Sequence, residues 1–259
     1  MLLDLIKAII LGVVEGFTEF LPISSTGHLV LINEYISFEK NFTFLFDIVI
    51  QMGAILAVVF YFWKKIWPPT KNKDIWSKMM VALLPVIILG GLFAKTIEER
   101  LFNVWTVAIT LILGGLIILV VEKSKINYTI KSMKDLSLKT AFFIGLIQCL
   151  SFLPGTSRSG ATIIGAMILG VSRPIATEFS FFLAIPTMLL ASIYSLIKYS
   201  GSLSFSEIII LLTGFFVAFG GALGVVKFLI NFVQKNNFKV FGYYRIILGL
   251  VIIIYFLIK

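Results

Sequence analysis

The chain reads as an all-α polytopic membrane protein: six spanning helices plus two re-entrant helix–loop–helix segments, related as an inverted-topology internal repeat. Three observations lead there. Of the 259 residues, 59% are hydrophobic and only 14% charged, with a mean hydropathy of +1.04, whereas about a quarter of a soluble domain is charged. The apolar residues gather into runs long enough to cross a bilayer, which takes about 20 residues. Two of those runs are broken at matching places by proline, glycine and hydroxyl residues. This composition excludes a soluble globular enzyme, a disordered chain and a nucleic-acid-binding module, so no nucleic-acid partner is expected.

The first element, residues 2–36, is interrupted by Phe20-Leu21-Pro22-Ile23-Ser24-Ser25-Thr26-Gly27-His28. Each half is too short to cross alone, so a segment that enters and leaves by one face is expected. Loops of that kind survive at membrane depth only when buried in protein or lining a polar cavity. Three spans follow, at about 44–63, 79–94 and 104–121, then a basic loop at 122–139. Residues 140–172 repeat the first pattern, with the break Phe152-Leu153-Pro154-Gly155-Thr156-Ser157-Arg158-Ser159-Gly160. Spans at about 175–197, 207–226 and 245–258 complete the chain; the second and sixth spans are short and are expected to extend into their flanks. The single membrane domain of 1–259 thus divides into repeat one, about 1–121, the loop 122–139, and repeat two, about 140–259.

Spacing supports the repeat. Gly12 and Glu15 lie 133 residues before Gly145 and Gln148; Phe20-Leu21-Pro22 lies 132 before Phe152-Leu153-Pro154; Ser24 and Gly27 return to 133 before Ser157 and Gly160. Matched breaks in two halves are a signature of internal repeats.

The net charge of +9 sorts by topology. Region 64–78 holds Lys64, Lys65, Lys71, Lys73 and Lys78; 122–139 holds Lys123, Lys125, Lys131, Lys134 and Lys139; 227–245 holds Lys227, Lys235, Lys239 and Arg245. Those 14 cations face six on the other side: Lys7, Lys40, Lys95, Arg100, Lys198 and Lys259. Positive loops stay in the cytoplasm, so both termini are expected outside. The two re-entrants would enter from opposite faces and meet near the midplane. Cys149, the single cysteine, has no internal disulfide partner and supports no cysteine-based metal site. The start Met1-Leu2-Leu3-Asp4 lacks a basic stretch and a small-residue cleavage site, so no cleaved signal peptide is expected.

Charge at membrane depth is expensive and points to function. Glu15 and Glu19, one helical turn apart, share a face. Two carboxylates so placed repel unless a proton or a cation joins them, and a divalent ion held by oxygens and a phosphate suits the pair: Mg²⁺, with Ca²⁺ as the alternative ion. In the second break, Ser157-Arg158-Ser159 sets a guanidinium between two hydroxyls at a helix start. Its planar fork matches phosphate oxygens, and the helix start adds free N–H groups. Arg158 could equally pair with Glu15 or Glu19 before substrate arrives. Pro154 and Gly155 would set the turn and admit close backbone approach. His28, the only histidine, stands beside Ser24, Ser25 and Thr26; a serine near a histidine can be an activated nucleophile, and either serine could instead bind phosphate or cap a helix. Gln148, Glu178, Gln51 and Thr162 are weaker candidates.

Glu15-Gly16-Phe17-Thr18-Glu19-Phe20-Leu21-Pro22 with Ser24-Ser25-Thr26-Gly27-His28 resembles the first signature of bacterial undecaprenyl-diphosphate phosphatases of the bacitracin-resistance type. Pro154-Gly155-Thr156-Ser157-Arg158-Ser159-Gly160-Ala161-Thr162 matches the second, PGxSRSxxT, at each fixed position. Gly170 to Pro186, with Glu178-Phe179-Ser180-Phe181, also looks like the family, and the layout agrees over essentially the whole chain. The resemblance implies release of the terminal phosphate of undecaprenyl diphosphate, recycling of the lipid carrier for the cell wall, and bacitracin resistance. It further implies a divalent metal and a site opening to the outer face of the bacterial cytoplasmic membrane. It assigns Glu15 and Glu19 to metal or acid–base work, Ser25 rather than Ser24 and His28 to the chemistry, and Arg158 to the diphosphate. Ser24, Thr26, Gly155, Ser157, Ser159 and Thr162 would surround the substrate.

A lipid-carrier flippase or transporter is the competing reading, since inverted repeats with broken helices at the midplane also build transporters. The acid-phosphatase-like class of lipid phosphatases needs two histidines and is excluded by the single His28. A purely structural membrane protein would leave Glu15, Glu19 and Arg158 without a reason to be buried. Besides the substrate and membrane lipid, a second copy of the chain as a homodimer is compatible with the sequence, which does not fix the oligomeric state.

Overall fold

The computed structural model describes residues 1–199, 201 and 203–259; the side chains of Lys40, Ala94, Glu98 and Lys198 lie outside the description, and with them two of the outer cations counted above. In chain order the helices are α1 Leu2–Thr18, α2 Ser25–Ile32, α3 Lys40–Tyr61, the single turn α4 Trp63–Ile66, α5 Lys73–Leu101, α6 Val104–Lys123, α7 Leu138–Gln148, α8 Arg158–Ile168, α9 Arg173–Lys198, α10 Phe205–Lys235 and α11 Lys239–Ile258. A short 3₁₀ turn, Cys149–Phe152, follows α7. No strand occurs among the described residues; the nearest approach is one isolated parallel bridge between Ile130 and Val171.

Six of these helices are long and apolar enough to cross a membrane: α3, α5, α6, α9, α10 and α11. They match the six expected spans and outrun the apolar windows at most ends, because a helix stops at a cap or a breaker rather than where apolarity stops. Asn103 caps α6 by accepting from Thr106 N at 2.9 Å. Ser204 and Glu207 cap α10 reciprocally, Ser204 Oγ accepting from Glu207 N at 3.3 Å while Ser204 N donates to Glu207 Oε2 at 2.7 Å. One expectation is corrected here. Arg245 was counted as a loop cation, but α11 begins at Lys239, which puts Arg245 inside the helix with 1% of its surface exposed. Lys78 is likewise inside α5 and buried, its Nζ donating to Asp74 Oδ2 at 2.6 Å and Met133 O at 2.7 Å. Removing both leaves twelve cations against six, so the sign of the loop asymmetry is unchanged.

The two interrupted segments each form a helix, a break and a second helix. α1 packs along α10, and α7 along α5; α3 lies between α10 and α9, and α6 runs beside α11. Small residues allow these approaches. A Cβ on Gly16 would sit 2.6 Å from Ala218 O, one on Gly115 2.6 Å from Gly242 O, and one on Gly145 would overlap the Ala82 carbonyl. Close backbone packing of this kind is how helices associate where lipid removes the hydrophobic drive between them. The outward faces are apolar: Phe60, Leu92, Phe216 and Ile247 are each more than half exposed, as a lipid-facing surface requires.

Inside, Phe20 anchors the first break. It is fully buried, meets Phe181 of α9 edge-on at 5.5 Å, and continues into the Phe62–Phe182 contact at 5.0 Å. At one end of the bundle, Glu122 joins three elements: Arg173 pairs with it through two nitrogens, and Phe238 N donates to its Oε1 at 2.9 Å.

The glycine contacts carry a stability prediction. Gly145→Ala should lower the thermal stability of detergent-solubilised protein by about 1–3 kcal/mol through overpacking. Gly220→Ala, whose new methyl meets nothing within 4 Å, should change it by no more than about 0.5 kcal/mol. Equal melting shifts for the two variants would contradict the packing.

Candidate active site

The two breaks share a backbone solution. Ser24 (φ 70, ψ 100) and Ser157 (φ 70, ψ 117) both stand in the left-handed half of conformational space and both cap the helix that follows. Ser24 Oγ accepts from Gly27 N at 3.3 Å, and Ser157 Oγ from Gly160 N at 3.1 Å. Positive φ in a non-glycine residue stores strain and clusters at functional sites. Gly155, at φ 85, is where only glycine fits: a Cβ there would approach Val107 O to 2.6 Å.

The breaks are bonded to each other. Ser159 Oγ donates to Leu21 O at 2.8 Å and to Glu19 O at 3.3 Å. Thr110 Oγ1 on α6 donates to Pro154 O at 2.5 Å. Thr162 Oγ1 donates back to Arg158 O at 2.9 Å and meets Ser180 Oγ at 2.6 Å, which steadies the first turn of α8 against α9.

Charge converges on Glu19, which is 8% exposed. Ser25 Oγ donates to its Oε2 at 2.7 Å, and Arg158 Nη2 donates to its Oε1 at 3.0 Å. The expected pairing of Arg158 with a carboxylate is therefore present, with Glu19 as the partner. Arg158 also lies 5.4 Å from the Phe20 ring and donates to Ser180 O at 3.4 Å and to Met188 Sδ at 3.2 Å. Its Nε, buried, has no acceptor among the described residues. An unpaired buried donor costs about 1–3 kcal/mol, and an anion oxygen would satisfy it. Glu15, 3% exposed, lies one helical turn before Glu19.

A cavity of about 490 Å³ opens beside this cluster, lined by Glu15, Ser25, Thr26, Asn33, Asp47 and Gln51, with Leu29, Val30, Ile48 and Phe256 forming an apolar wall. Asp47 Oδ1 and Asn33 Oδ1 are buried and lack hydrogen-bond partners among the described residues. That is a surplus of hard oxygen acceptors, the donor set a divalent cation takes. No group of three His, Cys, Asp or Glu side chains is gathered at metal-binding range among the described residues, so amide, hydroxyl, water and phosphate oxygens would complete any such shell.

His28 sits differently from the expectation of a base for serine. Its Nδ1 lies 2.8 Å from Ser24 O, which can only accept, so Nδ1 carries the proton. Nε2 lies 2.6 Å from Tyr244 Oη, and the two rings stack at 5.6 Å. In the neutral ring Nε2 accepts from the Tyr244 hydroxyl. Both nitrogens are thus engaged, neither by Ser25. Of the weaker candidates, Gln51 lines the cavity. Gln148 is buried beside α9, its Nε2 donating to Thr187 Oγ1 at 3.1 Å. Glu178 is held apart from the cluster in a 3.0 Å ion pair with Lys65.

Sequence reasoning missed Asp47, Asn33, Tyr244 and Arg245. Asp47 was legible, since it is the one carboxylate within α3 and a charge inside a span is itself a signal. Asn33 and Tyr244 carry no such mark; only the folding of α2 against its neighbours shows them.

The family profile described as bacitracin resistance protein BacA matches residues 8–251. Among curated proteins, the chain is 48% identical to an undecaprenyl-diphosphatase of Acetivibrio thermocellus, over 99% of this chain and 99% of that one. It is 48% identical to one from Lachnoclostridium phytofermentans over 98% of each, and 46% identical to one from Enterococcus faecalis over 97% of each.

Ser159 provides a structural check. Ser159→Ala would leave the buried Leu21 carbonyl without its 2.8 Å donor and should destabilise the protein by about 1–3 kcal/mol, read as a lowered thermal midpoint. An unchanged midpoint would mean that this bond does not join the two breaks.

Proposed function

The chain belongs to the bacitracin resistance protein BacA family, and from that premise we infer how its site serves an integral membrane phosphatase. The enzyme hydrolyses undecaprenyl diphosphate to undecaprenyl phosphate and inorganic phosphate, which recycles the lipid carrier for cell-wall synthesis and confers bacitracin resistance. One observation carries the site assignment: Glu19 is held at once by Ser25 of one break and Arg158 of the other. Nucleophile, base and anion clamp thereby form one contiguous unit.

In this reading Arg158 receives the diphosphate, its unpaired Nε and its Nη groups donating to phosphoryl oxygens and stabilising the charge that grows on them. Ser25 Oγ attacks the terminal phosphorus while its proton passes to Glu19 Oε2. The anhydride P–O bond breaks, and undecaprenyl phosphate leaves with the electron pair. Water, deprotonated by a carboxylate, then releases phosphate from the serine. Direct attack by water held in the same place uses the same residues. Glu15 and Glu19 would hold a divalent metal, Mg²⁺ or Ca²⁺, which supplies charge neutralisation for the diphosphate; the unpartnered oxygens of Asp47 and Asn33 support a cation on that wall. His28, bonded to Ser24 and Tyr244, orients the start of α2. Ser24, Thr26, Gly155, Ser157, Ser159 and Thr162 shape the pocket, Gln51 faces the cavity, and Gln148 supports the bundle.

We read the two interrupted segments as re-entrant and the halves, about 1–121 and 140–259, as an inverted repeat. The exchange of packing partners supports this: α1 lies on α10 and α7 on α5, while α8 touches α6 and α2 touches α11 as well as α6. Two matching serines at φ 70 support it further. We read the protein as lying in the bacterial cytoplasmic membrane with the basic loops inside and the cavity open to the outer face; the excess of cations in those loops supports this orientation.

Phosphate release from undecaprenyl diphosphate tests the assignment. Glu19→Ala and Arg158→Ala should each lower kcat/KM by about 10³-fold, and chelation of divalent ions should abolish release until Mg²⁺ is restored. Full activity in Ser25→Ala would exclude the covalent route, whereas phosphate trapped on Ser25 in a rapid quench would support it. Lipid translocation without phosphate release by the wild type would favour the flippase reading instead.

A further inference from the structure

Arg245 presents a problem of charge. It lies in the second turn of α11, 1% exposed, and a guanidinium buried to that degree ordinarily needs a carboxylate. Among the described residues it has no carboxylate partner. Its five hydrogen bonds all go to backbone carbonyls: Nη1 donates to Thr156 O at 2.9 Å and Pro22 O at 3.4 Å, Nη2 to Gly155 O at 3.0 Å and Thr110 O at 3.1 Å, and Nε to Leu111 O at 3.3 Å. These carbonyls belong to the first break, the second break and α6. The Pro22, Gly155 and Thr156 carbonyls stand at broken helices and have lost intrahelical donors, and lipid offers no replacement.

The slot is shaped for a flat, forked group. A Cβ on Gly114 would overlap Nη2, and one on Gly160 would lie 3.2 Å from Nη1. Pro22 stands three residues before Ser25, and Thr156 two before Arg158. Arg245 bonds to neither of those side chains nor to Glu19, yet it grips the backbone that carries both.

We infer that Arg245 is the positioning residue of the phosphatase: one guanidinium fixes the two breaks relative to each other and so sets Ser25 and Glu19 against the phosphate held by Arg158. The fork makes arginine necessary. A lysine ammonium keeps the charge but has three donors from a single nitrogen and cannot span three segments.

The inference rests on the phosphatase reading, so its test has one arm that needs no activity. Wild type, Arg245→Lys, Gly114→Ala and the remote Glu122→Gln are compared in lipid nanodiscs for thermal midpoint, for kcat and KM with undecaprenyl diphosphate, and for amide hydrogen exchange of 21–27 and 154–160. Misplacing reacting groups by about 1 Å costs about 10²-fold in rate, so Arg245→Lys should lower kcat by about that factor with KM changed less than about threefold. Gly114→Ala, which pushes the guanidinium without removing it, should lower kcat in the same direction and carries the test if Arg245→Lys fails to fold. Both should speed exchange in the two breaks. Glu122→Gln should lower the midpoint yet leave kcat and exchange there within about twofold, a change worth less than about 0.5 kcal/mol. A near-normal kcat in folded Arg245→Lys, unchanged exchange in both breaks, or an equal kcat loss in Glu122→Gln would overturn the role. Absent phosphate release by the wild type would defeat the phosphatase reading, with loop fixation still decided by exchange.

Discussion

Two helices of this protein stop within its buried interior, and each backbone group freed there must find a partner inside the protein. Water would ordinarily serve; the lipid around a membrane bundle offers none. Hydroxyls meet much of the demand: Ser24 and Ser157 cap the helices that resume, Thr110 reaches Pro154 O, and Ser159 reaches Leu21 O. The carbonyls of Pro22, Gly155 and Thr156 converge on a single guanidinium from α11. The breaks are thus ordered loops with fixed neighbours, which a site built from loop residues requires.

Once the breaks are fixed, the chemistry has little freedom. Ser25 and Arg158 follow the two breaks directly, and both converge on Glu19 from opposite sides. Glu19 is buried against Phe20, whose ring lies under Arg158 and edge-on to Phe181. The aromatic packing and the ion pair therefore fix the same site. In the proposed mechanism Arg158 is the anion clamp and Glu19 the base, and the two groups already touch. On the cavity wall the buried Asp47 Oδ1 and Asn33 Oδ1 remain without hydrogen-bond partners among the described residues.

The bundle around the site is held by close backbone contact. Glycines on α1, α6 and α7 let α10, α11 and α5 approach until a methyl group would collide. Apolar side chains are free to face lipid as a result, and the few polar ones gather inward, where they are bonded.

The sequence alone determined the membrane class, the six spans and the two broken segments, and it marked Glu19, Ser25 and Arg158, which the fold brings into contact. The reason is local: apolar runs, helix breakers and charges at depth are each visible within a few tens of residues. Asp47 was visible by the same rule and was overlooked. The sequence misassigned Arg245 because span ends are read from apolarity, whereas α11 begins six residues earlier, at Lys239, and the charge of Arg245 is met by carbonyls from distant segments. Which carboxylate Arg158 would choose, that His28 would turn to Ser24 and Tyr244 rather than Ser25, and that Glu178 would leave the site for Lys65 were decided by the tertiary structure. Those outcomes depend on which groups are brought within hydrogen-bond reach across more than a hundred residues, a property of helix packing that no local pattern encodes.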